Sequence, residues 1–431
     1  MNCNKINLKE GINLHIINTD KFKTNLSAVF LTMPLNRDNV TKNALIPMVL
    51  RRGSSELTNI EEINNKLDEM YGADFNCGVD KTGDNHILKF YMESINNNFL
   101  PEKENLLEES MKVLLDIVFN PLIENNGFKN EYVESEKENL KQIILGKIDN
   151  KAKYAYDRCI EEMYKDKPFG LYKYGYVEDL ESINAKNLYE YYKKMLSECK
   201  IDIFISGEVN DESKEILDNN ENIKNINERQ PIYNKKSEKA DSVEEEKVIE
   251  EKMEVSQGKL VIGLEVGKND KESKYSALIY NAILGGTPTS KMFQNVREKA
   301  HLAYVAGSNY IRHKNNVFIR CGIEIADYQK ALDLIKVQIE DMKKGDFTEE
   351  DIKNAKASIV AMIKSIPEEQ DSEMMYYFGQ EISEHKMDYN EYEQNVQKVQ
   401  KQDVIDIANS IKTNTIYFLT SNNWKGEIKC K

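Results

Sequence analysis

Gly285-Gly286-Thr287-Pro288-Thr289-Ser290-Lys291-Met292-Phe293-Gln294-Asn295-Val296-Arg297-Glu298-Lys299-Ala300-His301-Leu302-Ala303-Tyr304 is the stretch around which the rest of the chain can be ordered. A glycine pair ends one helical run, and a Thr/Pro/Thr/Ser turn caps the next. That second helix directs Met292, Phe293 and Val296 toward a core and carries Arg297 near its far end. Six residues separate Arg297 from Tyr304, where a strand-like run opens.

Outward from this stretch the same order of elements occurs twice. In the first half, apolar strand patterns at 12–18 and 25–34 precede helices at 43–51 and 60–71. A hairpin follows, with strands at 75–79 and 87–92 around Thr82-Gly83-Asp84-Asn85. Helices are expected at 102–119, 129–165 and 185–197, then the strand Ile201–Ile205. Residues 207–246 are rich in Asp, Glu, Asn and Lys and interrupted by Gln230-Pro231. They read as a solvated connector with one exposed helix. Strands then recur at 249–255 and 259–266, helices at 272–284 and 289–299, and strands at 302–309 and 316–324. Helices at 328–343, 348–365, 372–385 and 402–412 lead to the strand Thr415–Thr420.

The halves also end alike. Asn187-Leu188-Tyr189-Glu190-Tyr191-Tyr192 runs into one strand as Asp403-Val404-Ile405-Asp406-Ile407-Ala408 runs into another. A duplication of this length predicts two copies of one α+β unit, each a mostly antiparallel sheet backed by helices. The expected boundaries are an N-terminal half at 1–225, a charged linker at 226–246 and a C-terminal half at 247–431.

Composition narrows the function. The chain has 431 residues, room for two cores, and a formal net charge of −14. No block of Lys and Arg alternates with aromatics, so a nucleic-acid partner is not expected. Six scattered cysteines without a CxxC read as thiols in a reducing compartment. The start lacks an apolar signal core, and no run approaches a membrane span, so a cytoplasmic protein without a membrane partner is expected.

The stretch from Gly285 to Tyr304 resembles the C-terminal-half signature of the pitrilysin/insulinase peptidase family, GG…SRLFQ-x-(I/V)RE-(K/R)-x-GLAY. The resemblance extends to Lys167-Pro168-Phe169-Gly170, to Ser256-Gln257-Gly258-Lys259-Leu260 and to the closing helix and strand of each half. It implies two halves facing each other as a clamshell around a peptide-holding chamber. It also implies that Arg297 and Tyr304 hold a peptide carbonyl and its oxyanion opposite a zinc ion, with Gly285 and Gly286 among the substrate-binding residues. The departures are Lys291 for the usual Arg, and Ala300-His301 for (R/K)-G. The second bears on the bend that aims Tyr304.

Active members of that family carry H-x-x-E-H on the first helix of the N-terminal half: two histidines one turn apart for zinc, and a glutamate for the attacking water. Counting back from Arg51-Arg52-Gly53-Ser54 sets this motif on Ala44-Leu45-Ile46-Pro47-Met48. Pro47 in place of the base is expected near the first turn of a helix capped by Thr41 or Asn43. In the downstream helix Glu136 keeps the accessory acid, but Ile143 stands at the third ligand. The degenerate positions are thus Ala44, Pro47, Met48 and Ile143, and this chain is expected to hold no metal or other cofactor of its own.

No other site competes. The five histidines contain no i,i+3 or i,i+4 pair. Glu381-Ile382-Ser383-Glu384-His385 mimics H-x-x-E-H without its first histidine. Cys77 and His86 flank the predicted hairpin at unequal offsets, and Gly285-Gly286 opens no phosphate loop. In two-chain members of the family, one subunit brings zinc and the other the Arg/Tyr pair. The resemblance therefore implies a peptidase subunit that is inactive alone, acts on peptides, and pairs with a zinc-bearing homologue or with itself. The alternative is a non-catalytic peptide-binding or scaffolding protein, including a modification-associated adaptor.

Overall fold

The computed structural model describes residues 3–102, 104–209, 212–241, 243, 245–384 and 386–424. The first half contains β1 (Cys3–Lys9), β2 (Ile12–Asn18), β3 (Thr24–Pro34), α1 (Val40–Leu50), α2 (Ile60–Glu69), β4 (Asp74–Thr82), β5 (Asn85–Ile95) and α3 (Leu106–Phe119). A short hairpin of β6 (Ile123–Glu124) and β7 (Gly127–Phe128) leads to α4 (Asn130–Leu145), α5 (Lys151–Met163), α6 (Val177–Leu180), α7 (Ala185–Glu198), β8 (Lys200–Gly207), α8 (Glu212–Asn219) and α9 (Glu221–Asn225). The second half contains β9 (Lys247–Met253), β10 (Gly258–Val266), α10 (Ser273–Asn281), β11 (Ala303–Ile311), β12 (Asn316–Ile323), α11 (Tyr328–Lys344) and α12 (Glu349–Ser365). It closes with α13 (Gln370–Ser383), α14 (Tyr389–Lys398), α15 (Lys401–Ser410) and β13 (Ile411–Ser421).

The duplication is present in the sheets. One has the order β1-β2-β8-β3-β5-β4, the other β9-β13-β10-β12-β11. Apart from the additional β1, the second order is the first with each strand replaced by its counterpart. In both, the strand that ends the half lies parallel to the strand that begins it, and the other pairs are antiparallel. The fold is α+β with two homologous halves.

The compact units are not two unbroken spans on either side of the linker 226–246. The first comprises residues through Gly146, Leu171–Lys236 and Ile366–Lys386; the second comprises Lys147–Gly170, Ser237–Ser365 and the chain from Met387. Each therefore takes one helix from the other half's stretch of chain, and the two helices, α5 and α13, stand at equivalent places. In the first unit α13 brings Phe378 against Phe30 and Phe204, on the sheet face that α1, α3 and α7 leave uncovered. In the second, α5 packs Cys159, Ile160 and Met163 with Val261, Phe318, Tyr417 and Leu419. With both faces covered, the central strands are buried throughout: every residue of β8 is buried, its polar Lys200, Asp202 and Ser206 included. Burying a side chain of Phe size contributes about 1.5–3 kcal/mol, which is what draws these helices in.

Several local expectations are corrected. The helix expected over 129–165 breaks at Gly146, and Asn150 caps α5 by accepting from Lys153 N–H. The connector contains two helices rather than one exposed helix, and Leu217 and Ile223 are buried in the first core. Pro47 is not near a first turn. Helix α1 starts at Val40 behind Asn39, and Pro47 is its eighth residue. Thr41 and Asn43 do not cap: Thr41 Oγ1 donates to Asp179, and Asn43 bridges His86 and Tyr191. An interior proline costs about 3 kcal/mol. The helix keeps it because nine of its eleven residues, Pro47 included, are buried and packing outweighs the lost backbone bond.

Candidate functional site

The second unit holds the Gly285–Tyr304 stretch on a distorted helical frame. Helix α10 runs into a π-helical turn at Ala282–Gly286, and a second π-helical segment spans Met292–Lys299. Such wide turns recur at functional sites. Gly285 faces β11 so closely that a Cβ there would come 2.6 Å from Ser308 N, which only glycine avoids. Ser290 begins the second segment by accepting from Phe293 N–H. Met292 and Val296 enter the core as expected, whereas Phe293 is half-buried beneath the Arg297 guanidinium, 4.7 Å from its ring centre. Asn295 bonds the buried Gln338 of α11 and so fixes the segment to the unit.

The bend toward Tyr304 is made by an unusual residue. His301 has φ +53°, a left-handed conformation that glycine adopts without strain. Asn and Asp, and His with them, are the side chains that best tolerate this region. Ala300 N–H to Asn295 O at 3.2 Å and Leu302 N–H to Val296 O at 3.1 Å hold the bend.

Tyr304 then falls on a β-bulge. Ala303 pairs with Ile323 and Val305 with Gly322, which leaves Tyr304 unpaired on an edge strand. Tyr304 and Val305 therefore both face solvent, 60% and 64% exposed, where regular alternation would turn one inward. The Tyr304 hydroxyl donates to Glu324 Oε1 at 3.1 Å, and this carboxylate raises the phenol pKa. Arg297 is also exposed, with Nε 3.5 Å from Glu298 Oε1. The π-helical segment that carries Arg297 packs on β11, the strand that carries Tyr304.

In the first unit α1, which carries three of the other predicted positions, packs on α4, which carries the fourth. Ala44 and Pro47 are buried, Met48 is half-buried, and Ile143 is 40% exposed on α4. Glu136 is buried and accepts from Arg52 Nη1 and Asn139 Nδ2, both at 3.0 Å. Cys77 on β4 donates to Pro47 O at 3.3 Å, and burial pushes its thiol up to about 11. In the hairpin, Cys77 pairs with Phe90 and His86 with Lys81, so the two do not face each other.

Residues 182–359 match the family model described as Peptidase M16 inactive domain. Over 411 residues the chain is 33% identical to the "Probable inactive metalloprotease YmfF" of Bacillus subtilis (strain 168), covering 95% of this chain and 96% of that protein. The chain belongs to the pitrilysin/insulinase, or M16, peptidase family. It is also 24% identical to the "Uncharacterized zinc protease YmxG" of the same organism over 279 residues, 62% of this chain and 63% of that one. Among solved structures, a conserved protein of Enterococcus faecalis V583 superposes with a TM-score of 0.89 at 26% identity, over 99% of this chain and all of that one. The Pseudomonas fluorescens peptidase M16 inactive domain superposes with a TM-score of 0.78 at 15% identity, likewise over 99% and 100%.

Against the M16 zinc site, the donor set here does not fit. Zinc takes imidazole nitrogen, thiolate sulfur or carboxylate oxygen, and the four positions offer a methyl group, a proline ring, a thioether and a butyl side chain. The retained acid, Glu136, is instead neutralised by Arg52, whose guanidinium also lies 5.1 Å from the Tyr132 ring centre.

A different cluster, unforeseen from the sequence, has metal-like geometry. His15, Asp202 and Glu381 bring one ligand atom each within 4.8 Å of one another. The Lys200 ammonium lies among them, 2.8 Å from Asp202 Oδ2 and 2.9 Å from Glu381 Oε1, so a side chain already supplies the cation. Burial alone would raise the Asp202 carboxyl, but hydrogen bonding from His15 and the Lys200 charge outweigh it and hold it at about 2. The sequence hint was polar residues alternating within apolar strands: Asn13 and His15 on β2, Lys200 and Asp202 on β8. In the sequence Glu381 belongs only to the H-x-x-E-H mimic, whose His385 lies outside the described residues. No helix among the described residues is long and apolar enough to cross a membrane.

Proposed function

We propose that this chain is the substrate-binding, oxyanion-stabilising subunit of a two-chain zinc metallopeptidase, working in the cytoplasm with a zinc-bearing homologue that carries H-x-x-E-H. The observation that carries this reading is a pairing of opposites. The Arg/Tyr stretch keeps both donors exposed on a bent, bulged frame, while the four zinc-site positions carry no suitable ligand. When bound in the partner, zinc would polarise the scissile carbonyl and activate water. Arg297 and Tyr304 would donate to the carbonyl oxygen as negative charge develops there. The peptide would lie extended along a sheet edge, with Gly285 and Gly286 at its approach.

The test is co-purification with an H-x-x-E-H homologue, followed by cleavage of fluorogenic peptides. Either chain alone should be inactive and the mixture active. Tyr304→Phe and Arg297→Ala should each lower turnover by roughly 10²-fold, the usual consequence of removing one oxyanion donor. Turnover unchanged by Tyr304→Phe would sink the assignment.

One observation favours the second reading, a non-catalytic peptide-binding or scaffolding protein. Tyr304 and Arg297 both contact carboxylates of this chain, Glu324 and Glu298. Failure to find any active mixture, with peptide binding intact, would favour it.

A further inference from the structure

Tyr304 has a single O–H, and in this chain Glu324 Oε1 receives it. Glu324 stands directly beyond β12, next to Ile323, the residue that pairs with Ala303; the bulge then frees Tyr304 from the ladder. A phenol donates one hydrogen bond at a time. A carboxylate is a stronger acceptor than a peptide carbonyl, so the two compete for the same proton. Both side chains are exposed, which makes the contact exchangeable rather than structural.

We propose that Glu324 is a latch on Tyr304, withholding the phenol from a peptide carbonyl until the contact opens. This rests on reading Tyr304 as a carbonyl donor. Glu324 is a positioning residue and touches no substrate. The same contact favours the protonated phenol, so Tyr304 stays a donor while it is held. Opening requires only a side-chain rotation of Glu324 away from β11, with no bond made or broken.

Two measurements on the full chain test this. In protein labelled with [13Cζ]tyrosine, the Tyr304 resonance is the one missing from Tyr304→Phe. Its titration midpoint should fall in Glu324→Gln and stay near the native value in Glu324→Asp. An unchanged midpoint in Glu324→Gln overturns the latch. In the second measurement, fluorescence anisotropy follows binding of fluorescein-labelled, carboxymethylated α-lactalbumin as an unfolded polypeptide. Glu324→Gln should bind roughly two- to fivefold tighter than the native chain, the scale of one exposed charged contact. The same substitution in a Tyr304→Phe background should change nothing, and an equal gain there overturns the latch. If the midpoint falls as expected but no variant alters polypeptide binding, the latch stands and the carbonyl-donor reading fails.

Discussion

Phe378 stacks on Phe30 with ring centroids 4.3 Å apart, joining α13 to a strand near the other end of the chain. Around this contact Gln370 Nε2 donates to Thr24 O and Ser206 O, and Lys21 pairs with Glu368. Phe378→Ala would leave a cavity between a helix and a sheet with little freedom to collapse. It should cost about 3–5 kcal/mol in urea unfolding. Hydrogen exchange should show protection lost first along Gln370–Ser383.

The Lys200–Asp202 pair predicts an acid limb of stability. Asp202 is fully buried and held near pKa 2, below the ordinary aspartate value of about 3.9. A depressed carboxyl contributes in full above the unfolded value and loses that contribution as pH falls through the folded one. About 2–3 kcal/mol should therefore disappear between roughly pH 4 and pH 2. Asp202→Asn should be less stable at pH 7 by about 3–5 kcal/mol, because the buried Lys200 ammonium loses the carboxylate charge paired with it. Urea midpoints at the two pH values should also show a shallower acid slope in the variant.

His301 predicts a substitution that stabilises. At φ +53° a side chain costs about 1–2 kcal/mol relative to glycine. Glycine recovers less than this, because it also gains freedom in the unfolded chain. His301→Gly should raise stability by about 0.5–1 kcal/mol in thermal melts, with the Tyr304 chemical shift unchanged. A loss of stability would show that the imidazole makes a contact of its own.

The zinc-site positions predict a gain of function. The combined variant Ala44→His, Pro47→Glu, Met48→His and Ile143→Glu restores the M16 donor set on α1 and α4. Elemental analysis after dialysis should find about one zinc per chain in the variant and none in the native protein. Ala44 is 2% exposed, so its enlargement should cost about 1–3 kcal/mol before metal binds. Tightly held zinc in the native chain would overturn the degenerate-site reading.

Much of this was legible beforehand because it is local or repeated. The matched helix and strand at the end of each half, and the hairpin around Gly83, are patterns of neighbouring residues, and the sheets follow them. The exchange of α5 and α13 was not legible. Met374, Tyr377, Phe378 and Ile382 lie at helical spacing and announce a buried stripe, but the stripe cannot name the sheet it covers. Pro47 differs from its local pattern for a related reason: local cost favours a helix start, and burial of nearly the whole helix overrules it. Within the site, the Ala300-His301 departure located the bend. The left-handed backbone, the bulge and Glu324 depend on strand pairing that no single stretch encodes.

The traded helices make the duplication irreversible. A gene cut inside the connector would yield two polypeptides, each with a sheet face stripped of its cover and a stray amphipathic helix whose mate lies on the other fragment. Neither repeat can be shed, shuffled or inherited by itself, so the pair is bound to fold, and to be selected, as one.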